Sequence, residues 1–198
     1  MNPLQRALIR LQTDVRLLDL RWTLLGGLAV SVRAEPRTTR DVDIAVVVEG
    51  DHEAEQIVRE FWSRGYRLKT PPLEHLDVGR MATVRFLAPG EDARGVVVDL
   101  LFASSGIESE VVAAADLLEV FPGVAAPVAT TGHLLALKTL AGRDQDLADI
   151  QSLLHVADAN DLQQAREALA LISRRGFDRG KDLQVELARH LETAAKGP

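Results

Sequence analysis

Apolar residues recur at intervals of four and three along residues 3–19, at Leu4, Leu8, Leu11, Val15 and Leu18. That spacing predicts an amphipathic helix with one face on a core, and the run is too short for a coiled coil. TLLGG then forms a short apolar segment closed by Gly26 and Gly27, and LAVSVRAEP reads as a helix ended by Pro36. Residues 41–48, DVDIAVVV, alternate acid and apolar positions and then become β-branched, which predicts a strand. Residues 52–63 have helical spacing, 66–69 read as a short strand, and MATVRFLAP and RGVVVDLLF read as two strands around a turn at Pro89-Gly90. A helix over 107–115 and strand-like pieces near 117–120 and 124–129 follow. From Thr130 onward the period changes: HLLALKTLA, DLADIQSLLHVA, DLQQAREALALI and DLQVELARHLE are all helical. The chain therefore divides into a mixed α/β part with an N-terminal helix, residues 1–127, and a helical C-terminal region, residues 128–198.

Composition narrows the classes. With 198 residues, 46% hydrophobic and 26% charged, the chain can bury a real core. The absence of cysteine removes disulfide scaffolds and thiolate metal sites and fits a reducing, cytoplasmic setting. No apolar run reaches the ~18 residues of a membrane-spanning helix, and the first residues have no signal-peptide core. The formal charge of −6 argues against a uniformly basic nucleic-acid-binding surface. Lysine is scarce among the 23 basic residues, so a lysine within a candidate site stands out. The five histidines show no zinc spacing.

Asp41 and Asp43 are two apart on the predicted strand, so both carboxylates face one side. Like charges that close repel unless a cation lies between them, and a hard divalent ion is the usual one. Asp99 interrupts the apolar strand VVVDLLF, where a lone acid is expensive to bury. If that strand lies beside residues 41–48, three carboxylates converge and can hold two Mg²⁺ ions. The Gly26-Gly27 pair lets the backbone turn sharply ahead of a helix whose N-terminus offers N–H groups to an anion. Arg37 and Arg40, with Thr38 and Thr39 between them, bring phosphate-binding guanidinium groups next to the acids. Each feature also has an ordinary explanation: a turn for the glycines, solvent for the D-x-D pair, charge compensation for the arginines. Lys138 lies among leucines, either as a surface lysine or as a triphosphate contact. Asp144 is placed to cap the following helix, while Asp146 and Asp149 share a face of it.

In order and spacing these motifs carry a resemblance. GGLAVSVRAEPRTTRDVDIAVV resembles the signature of the DNA polymerase β-like nucleotidyltransferases, and the form G-G…R-x-T-x-D-x-D is most similar to their AbiEii-type group, which includes toxins of toxin–antitoxin systems. GHLLALKTLAGRDQDLADIQSLL resembles that group's helical motif, with Lys138, Arg143, Asp146 and Asp149 filling it and Gln145 where a lysine is frequent. The resemblance covers roughly residues 20–155. It implies an α/β fold, a nucleotidyltransferase-type mixed β-sheet flanked by helices and followed by a helical C-terminal part. It implies transfer of an NMP from an NTP, with Mg²⁺ or Mn²⁺ held by Asp41, Asp43 and Asp99. Asp99 would also take the acceptor's proton. Gly26, Gly27, Ser31, Arg37, Thr39, Lys138, Asp146 and Asp149 would bind the nucleotide, and Lys138 would be catalytic as well, offsetting transition-state charge together with Arg37. RNA or tRNA as acceptor and a cognate antitoxin as partner follow from the same group. Lincosamide and aminoglycoside nucleotidyltransferases tend to carry His before the first acid and Trp after the glycines; Arg40 and Leu28 stand there, which argues against an antibiotic acceptor. The competing expectations are a catalytically silent nucleotide-binding or antitoxin-like module and a purely structural α/β protein.

Overall fold

The computed structural model describes residues 1–70, 73–75, 80–90 and 95–196. Among the described residues sixteen elements follow one another: α1 (Pro3–Leu17), β1 (Trp22–Leu25), α2 (Gly26–Arg33), β2 (Asp41–Val46), α3 (Asp51–Ser63), β3 (Arg67–Leu68), β4 (Leu73–His75), β5 (Arg80–Leu87), β6 (Val97–Leu101), α4 (Glu108–Ala113), β7 (Asp116–Phe121), β8 (Val124–Val128), α5 (Thr131–Ala141), α6 (Asp144–Val156), α7 (Ala159–Arg174) and α8 (Leu183–Lys196). The eight strands form one sheet in the order β3-β5-β6-β2-β1-β8-β7, with β4 added beside β5. It is mixed: β2 runs parallel to β6 and β1 parallel to β8, while the other pairs are antiparallel. The fold is thus a mixed sheet flanked by helices with an all-helical C-terminal part.

The N-terminal helix forms where the spacing places it. Leu8, Leu11 and Val15 are buried, and Asn2 caps the helix by accepting from the Gln5 N–H at 2.7 Å. Central strands β2 and β6 are covered on both faces, so apart from their acids they read as continuous apolar runs. Phe61, Tyr66 and Phe86 pack together with ring centroids 4.8–6.0 Å apart, anchoring α3 to the sheet edge.

In the C-terminal part α5 is buried nearly all round, enclosed by α6, α7 and α8 and touching α2. One continuous apolar cluster runs from α1 through the sheet to α8. The helical part therefore packs directly onto the α2 side of the sheet, which places Lys138 near the acidic strands. No helix among the described residues is long and apolar enough to cross a membrane.

Two local readings are corrected. The helix after β1 begins on Gly26 itself and ends at Arg33, short of Pro36. Arg143, not Asp144, is the N-cap of α6; the capping carboxylate is Asp146, which accepts from the Arg143 backbone N–H at 3.1 Å.

Candidate active site

Parallel pairing of β2 and β6 puts Asp43 in register with Asp99, and antiparallel pairing of β6 and β5 puts Arg85 in register with Asp99. Residues in register on neighbouring strands share a face. Asp43, Asp99 and Arg85 thus form a row across three strands, with Asp41 one step along β2 on the same side. Arg85 Nη2 donates to Asp99 Oδ2 at 2.6 Å and Nε to Oδ1 at 2.9 Å, a bidentate pair. Burial, then the charges of Asp99 and Asp41, pushes the Asp43 carboxyl up to about 6 from an ordinary 3.8.

On the other side of Asp43 the backbone comes in close. Leu25 pairs with Asp43 in register, and Gly26 follows with φ +62°. A Cβ on Gly26 would overlap the Asp43 carboxylate, and one on Gly27 would press on the Arg37 guanidinium. Among the described residues no side chain caps α2, whose N-cap is Leu25. Its first-turn N–H groups and positive dipole end lie beside the acids. Gly26→Ala is expected to destabilise the protein by about 1–2 kcal/mol from the left-handed backbone alone, with a further cost as Asp43 shifts. Gly27→Ala should cost far less, because only the flexible end of Arg37 must move. Thermal melts of the two variants side by side check this order; equal losses would mean that the Asp43 contact is not a constraint.

The second tier is an ion network from the helical part. Lys138 Nζ lies 2.8 Å from Asp146 Oδ1 and 2.6 Å from Asp149 Oδ2, with all three residues buried. Arg143 Nε bonds Asp146 Oδ2 at 2.8 Å. Arg37, from the loop between α2 and β2, donates through Nη2 to Asp149 Oδ2 at 2.8 Å; its Nε lies 2.5 Å from Oδ1, an ion pair outside hydrogen-bond geometry. Burial raises Asp146, but the bonds from Arg143 and Lys138 outweigh it and hold the carboxyl below its usual range. Lys138 is therefore not a snorkelling surface lysine, and Asp146 and Asp149 do not face water.

These groups surround a cleft of about 730 Å³ lined by Gly26, Gly27, Arg37, Thr39, Asp41, Asp43, Asp99 and Lys138, with Leu101, Leu134, Leu137 and Leu140 as an apolar wall. Thr39 contributes its hydroxyl near the Asp41 carbonyl at 3.5 Å. Asp146 and Asp149 sit behind the wall and act on it through Lys138, Arg143 and Arg37. Ser31 does not line the cleft: its hydroxyl donates to the Gly27 carbonyl at 2.9 Å and lies 3.3 Å from the backbone of Arg37. Ser104 and Ser105 form a turn, both hydroxyls donating to Glu108 Oε1. Sequence reasoning missed Arg85 and Arg179, which also line the cleft. Arg85 had a findable signal, a charge in the middle of a strand that pairs with the Asp99 strand; Arg179 had none.

The carboxylates suit a hard cation by chemistry, and Asp43 is raised first by burial and then by the charges of Asp99 and Asp41. Among the described residues no three acids or histidines converge as a ready-made ligand cage, and Asp99 is turned into its pair with Arg85. Divalent metal there would require Asp99 to offer its remaining lone pairs or to swing from Arg85.

No protein family and no curated protein matches the sequence. Among solved structures, the chain is similar to the lincosamide antibiotic adenylyltransferase LnuA with lincomycin bound (TM-score 0.49, 12% identity, 77% of this chain and 97% of that one). It is also similar to an antigenic nucleotidyltransferase-like protein from Paracoccidioides brasiliensis (TM-score 0.48, 19% identity, 92% and 89%). A third is the antibiotic-resistance factor ANT(2'')-Ia (TM-score 0.48, 15% identity, 99% and 96%).

Proposed function

We propose that the chain is a metal-dependent nucleotidyltransferase of the DNA polymerase β-like type, moving an NMP from an NTP to an acceptor. The observation that carries the reading is the in-register Asp43–Asp99 pair, with Asp41 beside it, next to an uncapped helix that starts on two glycines. Mg²⁺ or Mn²⁺ held by Asp41, Asp43 and Asp99 would supply Lewis acidity at the reacting phosphate. The chain's own groups do the rest. The N–H groups at Gly26 and Gly27 receive phosphate oxygens. Arg37 and Lys138 set positive charge on the same wall. The acceptor oxygen attacks the α-phosphorus, the bond to the β-phosphate oxygen breaks, pyrophosphate leaves, and the acceptor's proton passes to a carboxylate of the row or to water. The leucines of α5 offer an apolar surface to the base.

The finer reading follows the motif order: an AbiEii-type enzyme with an RNA acceptor such as tRNA, a toxin role, a cognate antitoxin and a cytoplasmic place where NTPs are abundant. A second reading, a silent nucleotide-binding module, is favoured by one observation: Arg85 already occupies both oxygens of Asp99. One experiment separates the two. Incubation with labelled NTPs, Mn²⁺ and total RNA should label RNA, and NTP with Mn²⁺ should raise Tm by mass action. A raised Tm without labelled product from RNA or small-molecule acceptors supports the silent module. No shift and no label overturn both.

A further inference from the structure

Arg179 lies in the loop between α7 and α8 and reaches the cleft of the acidic row. Its backbone has φ +57°, a left-handed conformation that a long side-chain residue such as arginine rarely adopts. The neighbouring bonds hold it there. Asp178 Oδ1 accepts from the Gly180 N–H at 3.0 Å, and Lys181 Nζ donates to the Leu140 carbonyl at 2.9 Å, tying the loop to the end of α5. Phe177 is buried against Gly106, where no Cβ would fit. The loop is thus a fixed support, and it carries one long, exposed cation to the edge of the cleft.

Among the described residues that cation has no acid to answer it. Of the other cations lining the cleft, Arg85 is paired with Asp99, Arg143 with Asp146, Arg37 with Asp149 and Lys138 with both buried acids, while Arg40, exposed just before β2, is in no ion pair either. Among the described residues Arg179 makes one side-chain hydrogen bond, from Nη2 to the Ser104 carbonyl at 3.1 Å, and no ion pair. A guanidinium has five N–H donors, so most of them remain open to solvent or to an incoming anion. Partial desolvation against the wall, then the charge of Arg143, lowers its pKa from the ordinary value. The left-handed backbone and the neighbouring charge of Arg143 both raise the energy of this arrangement in the free protein, and an incoming anion would offset the second.

We propose that Arg179 is a phosphate-binding residue of the cleft, its guanidinium taking oxygen atoms of a phosphate group brought in by the nucleotide or by the acceptor. The proposal rests on the transferase reading and deepens it: the helical part contributes a recognition cation from its last loop as well as the buried Lys138. Arginine suits the task because its planar fork meets two phosphate oxygens at once, which lysine cannot do. Arg179 is assigned to binding and orientation, with no proton role.

The test uses the full chain and two variants, Arg179→Asn and Arg179→Lys. Asparagine tolerates the left-handed backbone, so Arg179→Asn should fold with an unchanged or raised Tm. Titrations follow with inorganic tripolyphosphate, with α,β-methylene analogues of the four NTPs in Mg²⁺, and with a mixed-sequence RNA oligonucleotide. Arg179→Asn should weaken binding about ten- to a hundredfold, and Arg179→Lys should restore only part of it. Weakening confined to tripolyphosphate and the analogues assigns the phosphate to the nucleotide; weakening confined to RNA assigns it to the acceptor. Wild-type affinity in a folded Arg179→Asn protein for all three probes overturns the proposal and leaves the transferase reading standing. Arg179-dependent binding of tripolyphosphate, with no binding of any analogue, keeps the anion site and sinks the transferase reading. If Arg179→Asn instead loses stability while binding is unmoved, Arg179 is only a strut to Ser104.

Discussion

Asp43→Asn is expected to slow nucleotide transfer roughly a thousandfold and, in the same protein freed of metal, to raise Tm above pH 6. The two effects have one cause. Asp43 faces Asp99 and Asp41 in a site that burial has partly stripped of water, and its carboxyl is pushed up to about 6 from 3.8. A carboxyl raised in the folded state favours folding fully below its unfolded value of 3.8 and loses that contribution as pH climbs through about 6. At pH 8 the wild-type chain therefore carries a penalty on the order of 1–3 kcal/mol, which asparagine does not. That is a rise of a few degrees in Tm for a chain of this size. The difference should close as pH falls toward 4. Transfer moves the other way: an amide holds a divalent cation far more weakly, and losing about 4 kcal/mol of transition-state stabilisation slows the step roughly a thousandfold. Melts at pH 5 and pH 8 in chelator, with a labelled-NTP assay in Mn²⁺, read both halves. Retained transfer in Asp43→Asn would remove the carboxylate row from the chemistry. A Tm that falls at pH 8 would mean that Asp43 is satisfied as it stands and not poised for a cation.

What the sequence made legible follows from how local each feature is. Asp41 and Asp43 could be placed on one face because strand alternation is a two-residue rule, and the structure keeps β2 with both acids on the less buried face. Asp99 could be suspected because an acid inside VVVDL has no local reason to exist; β6 does lie beside β2. The switch to helices at Thr130 is a change of period, visible over any window of 15 residues. Other features depended on partners far along the chain. The Arg85–Asp99 pair needs the register of β5 on β6, which no propensity fixes. Ser31 looked like a phosphate ligand because it lies one turn into α2, but its hydroxyl bonds backwards to Gly27, a bond that serine makes readily inside a helix. Asp144 looked like the cap by its place after Gly142-Arg143; the N3 acid Asp146 won because its carboxylate reaches both the Arg143 N–H and Lys138.

Lys138→Ala is expected to be the most destabilising single change in the site. Its side chain is 8% exposed, and the two carboxylates that it joins are 0% and 1% exposed. Removing it leaves Asp146 and Asp149 in the interior with one guanidinium each, on Arg143 and Arg37, whose side chains are 58% and 38% exposed. Breaking a buried pair by deleting one partner costs about 3–5 kcal/mol, and the lower end is expected here because each carboxylate keeps a guanidinium. That corresponds to a Tm drop on the order of 10 °C, whereas an ordinary surface lysine would shift stability by no more than about 0.5 kcal/mol. The network also joins α5 and α6 to the loop between α2 and β2, so its loss should loosen the helical wall from the sheet. A triple variant separates scaffold from ligand contact. Lys138→Met combined with Asp146→Asn and Asp149→Asn removes cation and anions together and should recover most of the lost stability. If Lys138 also meets the triphosphate, this stable variant should still bind NTP about tenfold or more weakly than wild type. Recovery of both Tm and NTP affinity would reduce Lys138 to a strut between the helical part and the sheet, with phosphate recognition left to the glycine turn and the arginines.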